Sequence, residues 1–152
     1  MDRNITYEYI RGLIEGEGCF TFCRVGLPGS KKKVPTFSIS MHIRDKNLMQ
    51  LLKEKLKLHN KIYEHKPKPR INRFNKGAMC FLIIRDMGQL KNIVIPLFYK
   101  KLIGYKRKQF DEWLEKIGTD PDISEHYRFL YKLHKWGYYE RHPKFSDESE
   151  RN

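Results

Sequence analysis

The sequence predicts an α+β fold of αββαββα order, in which two hairpins make a twisted antiparallel sheet and further helices follow at the C-terminal end. Three observations point there. Apolar residues recur at the helical spacing in some stretches and at the strand spacing in others, and the two periods alternate along the chain. The strand-like stretches come in pairs joined by basic, turn-rich loops. With 152 residues, 39% of them hydrophobic, the chain is long enough for one real core and too short for two comfortable ones. The expectation is one domain over 1–152, with a core of roughly 5–117 and a helical extension of roughly 118–145.

Thr6 stands where it can cap a helix through Tyr9, Ile10, Leu13 and Ile14, whose spacing makes one apolar stripe. Gly16-Glu17-Gly18 ends it. Cys19 to Cys23 then alternates, predicting a strand with Phe20 and Phe22 toward a core and Thr21 and Cys23 facing away. Gly26 to Lys33 reads as a basic hairpin turn. Thr36 to Arg44 alternates again, with Phe37, Ile39, Met41 and Ile43 on one face and Thr36, Ser38, Ser40, His42 and Arg44 on the other. Short hydrogen-bonding groups fill that second face, where a merely solvated face would more often carry Glu and Lys.

Asp45 to Leu58 has the pattern of an amphipathic helix, with Leu48, Leu51, Leu52, Lys55 and Leu56 on and around its buried side. A second hairpin is expected from Lys61 to Lys68 and from Ala78 to Ile84, joined by a basic loop through Arg70, Arg73 and Lys76. Asp86 is placed to cap a helix through Leu90, Ile93, Val94, Leu97 and Phe98, in which Pro96 predicts a kink or an early end near Ile95. A helix from Gln109 to Lys116 carries Phe110, Trp113 and Leu114. After a break at Gly118 to Asp122, Ser124 opens a last helix through Tyr127, Leu130, Tyr131 and Leu133, stopped near Gly137. The polar tail beyond Phe145 is expected to fray. Helices then cover one sheet face and leave the other open, polar and basic, a surface suited to the side of a duplex because strands can enter a major groove.

Charge narrows the partner. Lys and Arg number 31 against 18 Asp and Glu, a formal net charge of +13 that points to a polyanion, either nucleic acid or an anionic membrane surface. No apolar run approaches the roughly 20 residues that span a bilayer, and no basic amphipathic helix of convincing strength is present. Met1-Asp2-Arg3-Asn4 opens no signal peptide, and three cysteines fit a reducing compartment, so an intracellular protein is expected; chloroplast, mitochondrion and cytoplasm are not distinguished. Cys19, Cys23 and Cys80 with a histidine could in principle make a zinc site, but strand alternation explains them more simply.

Ile10-Arg11-Gly12-Leu13-Ile14-Glu15-Gly16-Glu17-Gly18 resembles the motif of the LAGLIDADG homing endonucleases, in the branch that carries one motif per chain. The resemblance extends through the αββαββα order and a lysine segment after the third helix, covering roughly Tyr7 to Ile117. The residues make independent sense. Gly12 and Gly16 lie four apart on one helix face, a spacing that lets two helix backbones approach closely. Glu17 puts its charge at the negative end of the helix dipole, which suggests a cation nearby.

The resemblance implies a metal-dependent DNA endonuclease acting as a homodimer on a long pseudo-palindromic duplex. Two motif helices would pack through Gly12, Leu13 and Gly16. The sheet would form a DNA-binding saddle, and Mg²⁺ or Mn²⁺ would be held by Glu17 with help from the Gly16 carbonyl. It implies that Lys106 offsets charge on the phosphate, with Lys108 second, and that Asp45 stands where the family often has a water-positioning Gln. Glu15 reads as structural, and Arg11 occupies a usually small position. On the open face Thr21, Cys23, Ser38, Ser40, His42 and Arg44 are candidates for base edges. Lys31, Lys32, Lys33, Lys66, Lys68, Arg70 and Arg73 are candidates for phosphates. The alternative on the same scaffold is a non-cleaving, RNA-binding intron maturase or a DNA-binding regulator.

Overall fold

A computed structural model of the protein describes residues 4–66 and 77–147, so Lys68, Arg70 and Arg73 lie outside the described residues. Helix α1 spans Tyr7–Glu17, and all four of its leading backbone donors are satisfied. Thr6 Oγ1 accepts from Tyr9 N at 3.0 Å, and Thr6 O accepts from Ile10 N at 3.1 Å. Tyr7 N and Glu8 N donate to the two carboxylate oxygens of Asp147, at 2.8 and 3.1 Å. The tail expected to fray is therefore docked as far as Asp147, with the Phe145 ring edge-on to Tyr7 at 5.2 Å.

Strands β1 (Gly18–Arg24), β2 (Lys33–His42), β3 (Tyr63–His65) and β4 (Met79–Ile84) form one antiparallel sheet in the order β1-β2-β4-β3. The inward faces of β1 and β2 supply Phe20, Phe37, Ile39 and Met41 to the core, as alternation predicts. Phe20 is its hub, with ring centroids of Phe37, Phe98, Phe110 and Trp113 between 5.0 and 5.4 Å away. Truncating it to Ala would cost about 3–5 kcal/mol. Phe22 is only half-buried, near the hairpin end.

β2 ends at His42, two residues short of the expected Arg44. His42 Nδ1 accepts from Arg44 N at 3.1 Å, which bends the chain into the 3₁₀ turn Ile43–Asp45. Helix α2 (Lys46–Leu56) buries Met49, Leu52 and Leu56. Leu51, expected on the buried side, is instead exposed, because the stripe runs one residue away from it.

The expected kink at Pro96 takes the form of a π turn. Asp86 caps α3 (Met87–Gln89) through Gln89 N at 3.0 Å, a π turn covers Leu90–Val94, and α4 (Ile95–Phe98) completes the rod. Pro96 has no N–H for Asn92 O, and Ile95 N reaches back to Leu90 O, which leaves the carbonyl of Lys91 without its usual donor. The C-terminal extension supplies both bonds: Tyr139 donates its hydroxyl to Lys91 O at 3.2 Å, and Lys144 Nζ donates to Asn92 O at 2.9 Å.

Helix α5 (Tyr105–Thr119) begins at Tyr105 rather than Gln109, and buries Phe110, Trp113, Leu114 and Ile117. The expected last helix is divided into a 3₁₀ turn at Glu125–Tyr127, α6 (Arg128–Lys135) and, after Gly137, a short α7 (Tyr138–Arg141). Ser124 precedes the turn but makes no side-chain cap. No helix among the described residues is long and apolar enough to cross a membrane.

Candidate functional site

Helix α1 has two unlike sides. Ile10, Arg11 and Ile14 are buried in the chain, while Tyr9, Gly12, Gly16 and Glu17 are exposed and Leu13 is half-buried between them. A Cβ added at Gly12 or Gly16 would meet nothing within 4 Å, so these glycines are not small to suit any neighbour in the chain. Gly18 is different, since a Cβ there would lie 2.4 Å from Ile14 Cγ2. Arg11 points inward. Its Nε donates to Leu97 O at 2.7 Å and a terminal nitrogen to Phe145 O at 2.8 Å, with Glu8 as its ion-pair partner.

Glu17 ends α1 exposed, with no hydrogen bond or ion pair among the described residues. Glu15 is engaged within the chain, at the approach to α5. Its carboxylate accepts from Ile103 N at 3.1 Å and Gly104 N at 3.0 Å. Farther along, Gln109 Oε1 accepts from Phe20 N at 3.0 Å and Trp113 Nε1 donates to Thr21 O at 2.8 Å. Three polar links thus fasten α5 along the motif helix and β1, and Lys106 lies between the first two.

The sequence placed Lys106 and Lys108 before a helix; both are in its first turn. Lys106 is half-buried and has no partner among the described residues, whereas Lys108 is exposed and 4.0 Å from Glu112. Asp45 is exposed in the 3₁₀ turn, and no hydrogen bond or ion pair joins it to Glu17 or Lys106. Because Gly18 lies opposite Ile39 and β2 ends at His42, Asp45, Arg44 and Glu17 share one end of the sheet. Among the described residues no group of three or more His, Cys, Asp or Glu could hold a metal, and Cys80 is buried with its thiol toward His42 O, so the zinc arrangement is not formed.

On the open sheet face Thr21 is exposed, and Cys23, Ser38, Ser40 and His42 are half-buried. The hydroxyls of Ser38 and Ser40 have no partner among the described residues. Thr36 is buried, its hydroxyl given to Val34 O at 3.1 Å. Arg44 is exposed in the turn beyond the strand rather than on its face. Register places Phe81 opposite both Ser40 and Tyr63, Ile83 opposite Ser38 and Met79 opposite His42, so this face also has an apolar strip. Sequence reasoning missed that strip because β4 is apolar on both sides and shows no alternation.

Of the basic candidates, Lys31, Lys32 and Lys66 are exposed. Lys33 is not a free phosphate contact. Its ammonium is bound to Asp120 at 2.8 Å on the helix side of the sheet. Lys33 and the hydrogen bond from Asp122 N hold the Asp120 carboxyl below the usual aspartate range.

A sequence profile of the LAGLIDADG endonuclease family matches residues 10–117. The chain belongs to this family. Solved structures with the same fold include the I-LtrWI LAGLIDADG homing endonuclease bound to target DNA, with 24% identity and a TM-score of 0.63 over 90% of this chain and 45% of that one. I-SmaMI bound to an uncleaved DNA target in the presence of calcium ions gives 18% identity and a TM-score of 0.60 over 90% of this chain and 46% of that one. The homing endonuclease I-TnaI gives 20% and 0.57, over 90% of this chain and 79% of that one. This LAGLIDADG chain thus spans less than half the length of the first two.

Proposed function

We propose that the chain is a site-specific homing endonuclease that pairs with a second copy of itself and hydrolyses both strands of a long, pseudo-palindromic DNA duplex with the help of a divalent cation. The observation that carries this is the exposed stripe of α1, in which two glycines with open space above them lead to an unpartnered Glu17. A helix face that is bare of side chains and apolar at its edges suits close approach to an identical helix. Two such helices in contact would bring one Glu17 from each chain to a common axis. A reducing interior agrees with the free thiols of Cys19, Cys23 and Cys80.

The donors fit Mg²⁺ or Mn²⁺. Glu17 and the adjacent carbonyl of Gly16 are oxygen ligands, the kind hard divalent cations take, and one carboxylate per chain leaves room for waters and phosphate oxygens. When bound, such a cation lowers the pKa of water and stabilises the leaving oxygen. The chain's own residues do the rest. Lys106, held beside the motif helix by the Glu15 link and beside β1 by the Gln109 link, offsets charge developing on the phosphate. Ser38, Ser40, His42 and Thr21 offer donors and acceptors to base edges, and Phe81 and Ile83 offer apolar contact to thymine methyls. Lys31, Lys32 and Lys66 grip the backbone.

The test is selection of cleaved duplexes from a random library in Mg²⁺, followed by Glu17→Gln and Lys106→Ala on the recovered site. Glu17→Gln should bind that site without cutting it, and Lys106→Ala should slow cleavage more than it weakens binding. A Glu17→Gln protein that still cuts would end this reading.

A further inference from the structure

At the hairpin end of the sheet, the first residue of β2 meets the C-terminal extension beyond the family match. Lys33 N donates to Asp122 O at 2.9 Å and Ser124 N donates to Lys33 O at 3.2 Å, which makes a parallel bridge between β2 and residues 122–124. The Lys33–Asp120 ion pair reinforces it. Beside this seam lies an open cleft of about 690 Å³ that Lys31, Lys32 and Arg128 line together with Asp122 and Glu125. Arg128 opens α6, and its Nε is buried with no hydrogen-bond partner among the described residues.

Arg128 Nε is buried without an acceptor, and the terminal nitrogens of the same guanidinium make no hydrogen bond or ion pair among the described residues, so the fork is open to an acceptor that enters the cleft. The charges say which. Three cations against two carboxylates leave the cleft one positive charge in excess, which matches one phosphodiester and repels a metal ion. The planar fork of Arg suits two phosphate oxygens at once.

We propose that Arg128, with Lys31 and Lys32, binds a single backbone phosphate of the duplex, so that the C-terminal extension is part of the DNA-binding surface. This rests on the DNA-binding reading given above. The cleft stands well apart from the end of the motif helix. Glu17 precedes β1 and Lys33 pairs with Arg24 at its other end, so the cleft is roughly 20 Å from Glu17 along the strand.

The experiment measures binding of a fluorescent non-specific duplex across a salt series, for the unmutated protein, Arg128→Met, Arg128→Lys and Lys132→Met. Lys132 is an exposed cation on the same helix that does not line the cleft. Arg128→Met should flatten the log–log salt slope by about 0.9 and weaken binding about tenfold, while Lys132→Met changes neither. Arg128→Lys should keep the slope. In the unmutated protein, duplex should also shield Arg128 from phenylglyoxal, read by mass spectrometry, which tests the site without any variant. Equal slopes for Arg128→Met and Lys132→Met, or labelling of Arg128 indifferent to DNA, would overturn the cleft alone. An unmutated protein that binds no duplex at low salt would overturn the DNA-binding reading as well.

Discussion

The carboxylate of Glu15 receives the backbone N–H of Gly104 at 3.0 Å, so a motif residue two positions before Glu17 holds the chain two positions before Lys106. The two groups for which chemistry is proposed are thereby tied through one side chain. Glu15→Gln turns one accepting oxygen into a donor that faces another donor. It should slow single-turnover cleavage on the order of 10- to 100-fold, as a displacement of about 1 Å does, and leave duplex affinity near its original value. A matched loss in both quantities would make Glu15 a matter of general stability.

Gly12 should respond in opposite senses in the two oligomeric states. In the isolated chain a methyl group there meets nothing, and Ala is the better helix former by about 1 kcal/mol. Gly12→Ala should therefore raise the melting temperature of dilute protein. Gly12→Leu should abolish the dimer in sedimentation at concentrations where the unmutated chain associates. A dimer indifferent to leucine would place the contact elsewhere.

Asp147 should matter to a helix 140 residues away in sequence. Asp147→Ala removes the acceptor of two N–H groups and should lower unfolding stability by about 0.5–2 kcal/mol, the range for losing a helix cap. Denaturant unfolding of the two proteins measures it. No change would mean that water serves those donors equally well.

Asp120 makes stability depend on acid. Its carboxyl titrates below the usual range because Lys33 donates to it, so its contribution is present above about pH 4 and is lost as pH falls through the lowered value. The gap in urea midpoint between the unmutated protein and Asp120→Asn should be open at neutral pH and close in strong acid. A gap that persists in strong acid would show that charge is not its origin.

Much of this architecture could be read from the residues. Alternation found β1 and β2 and the side of each that carries Phe20, Phe37, Ile39 and Met41, because a period of two leaves no choice once one face is apolar. The motif falls on α1, where Gly12, Gly16 and Glu17 are exposed. What escaped were features set by partners distant in sequence. Nothing near Lys33 announces Asp120, and nothing near Glu15 announces Gly104. The start of α5 at Tyr105 was missed because Tyr105 is exposed and Gly104 offers no side-chain cap, so the apolar pattern begins only at Phe110.

The proline in the third helical segment has a consequence for how the family could exchange parts. Tyr139 and Lys144 satisfy acceptors left open by Pro96 and by the π turn that precedes it. A hybrid that grafted another relative's ending onto this chain would leave Lys91 O without a donor unless the graft brought a hydroxyl to the same spot. A swap that separates the proline from this ending therefore removes the donors that Tyr139 and Lys144 bring to the third helical segment.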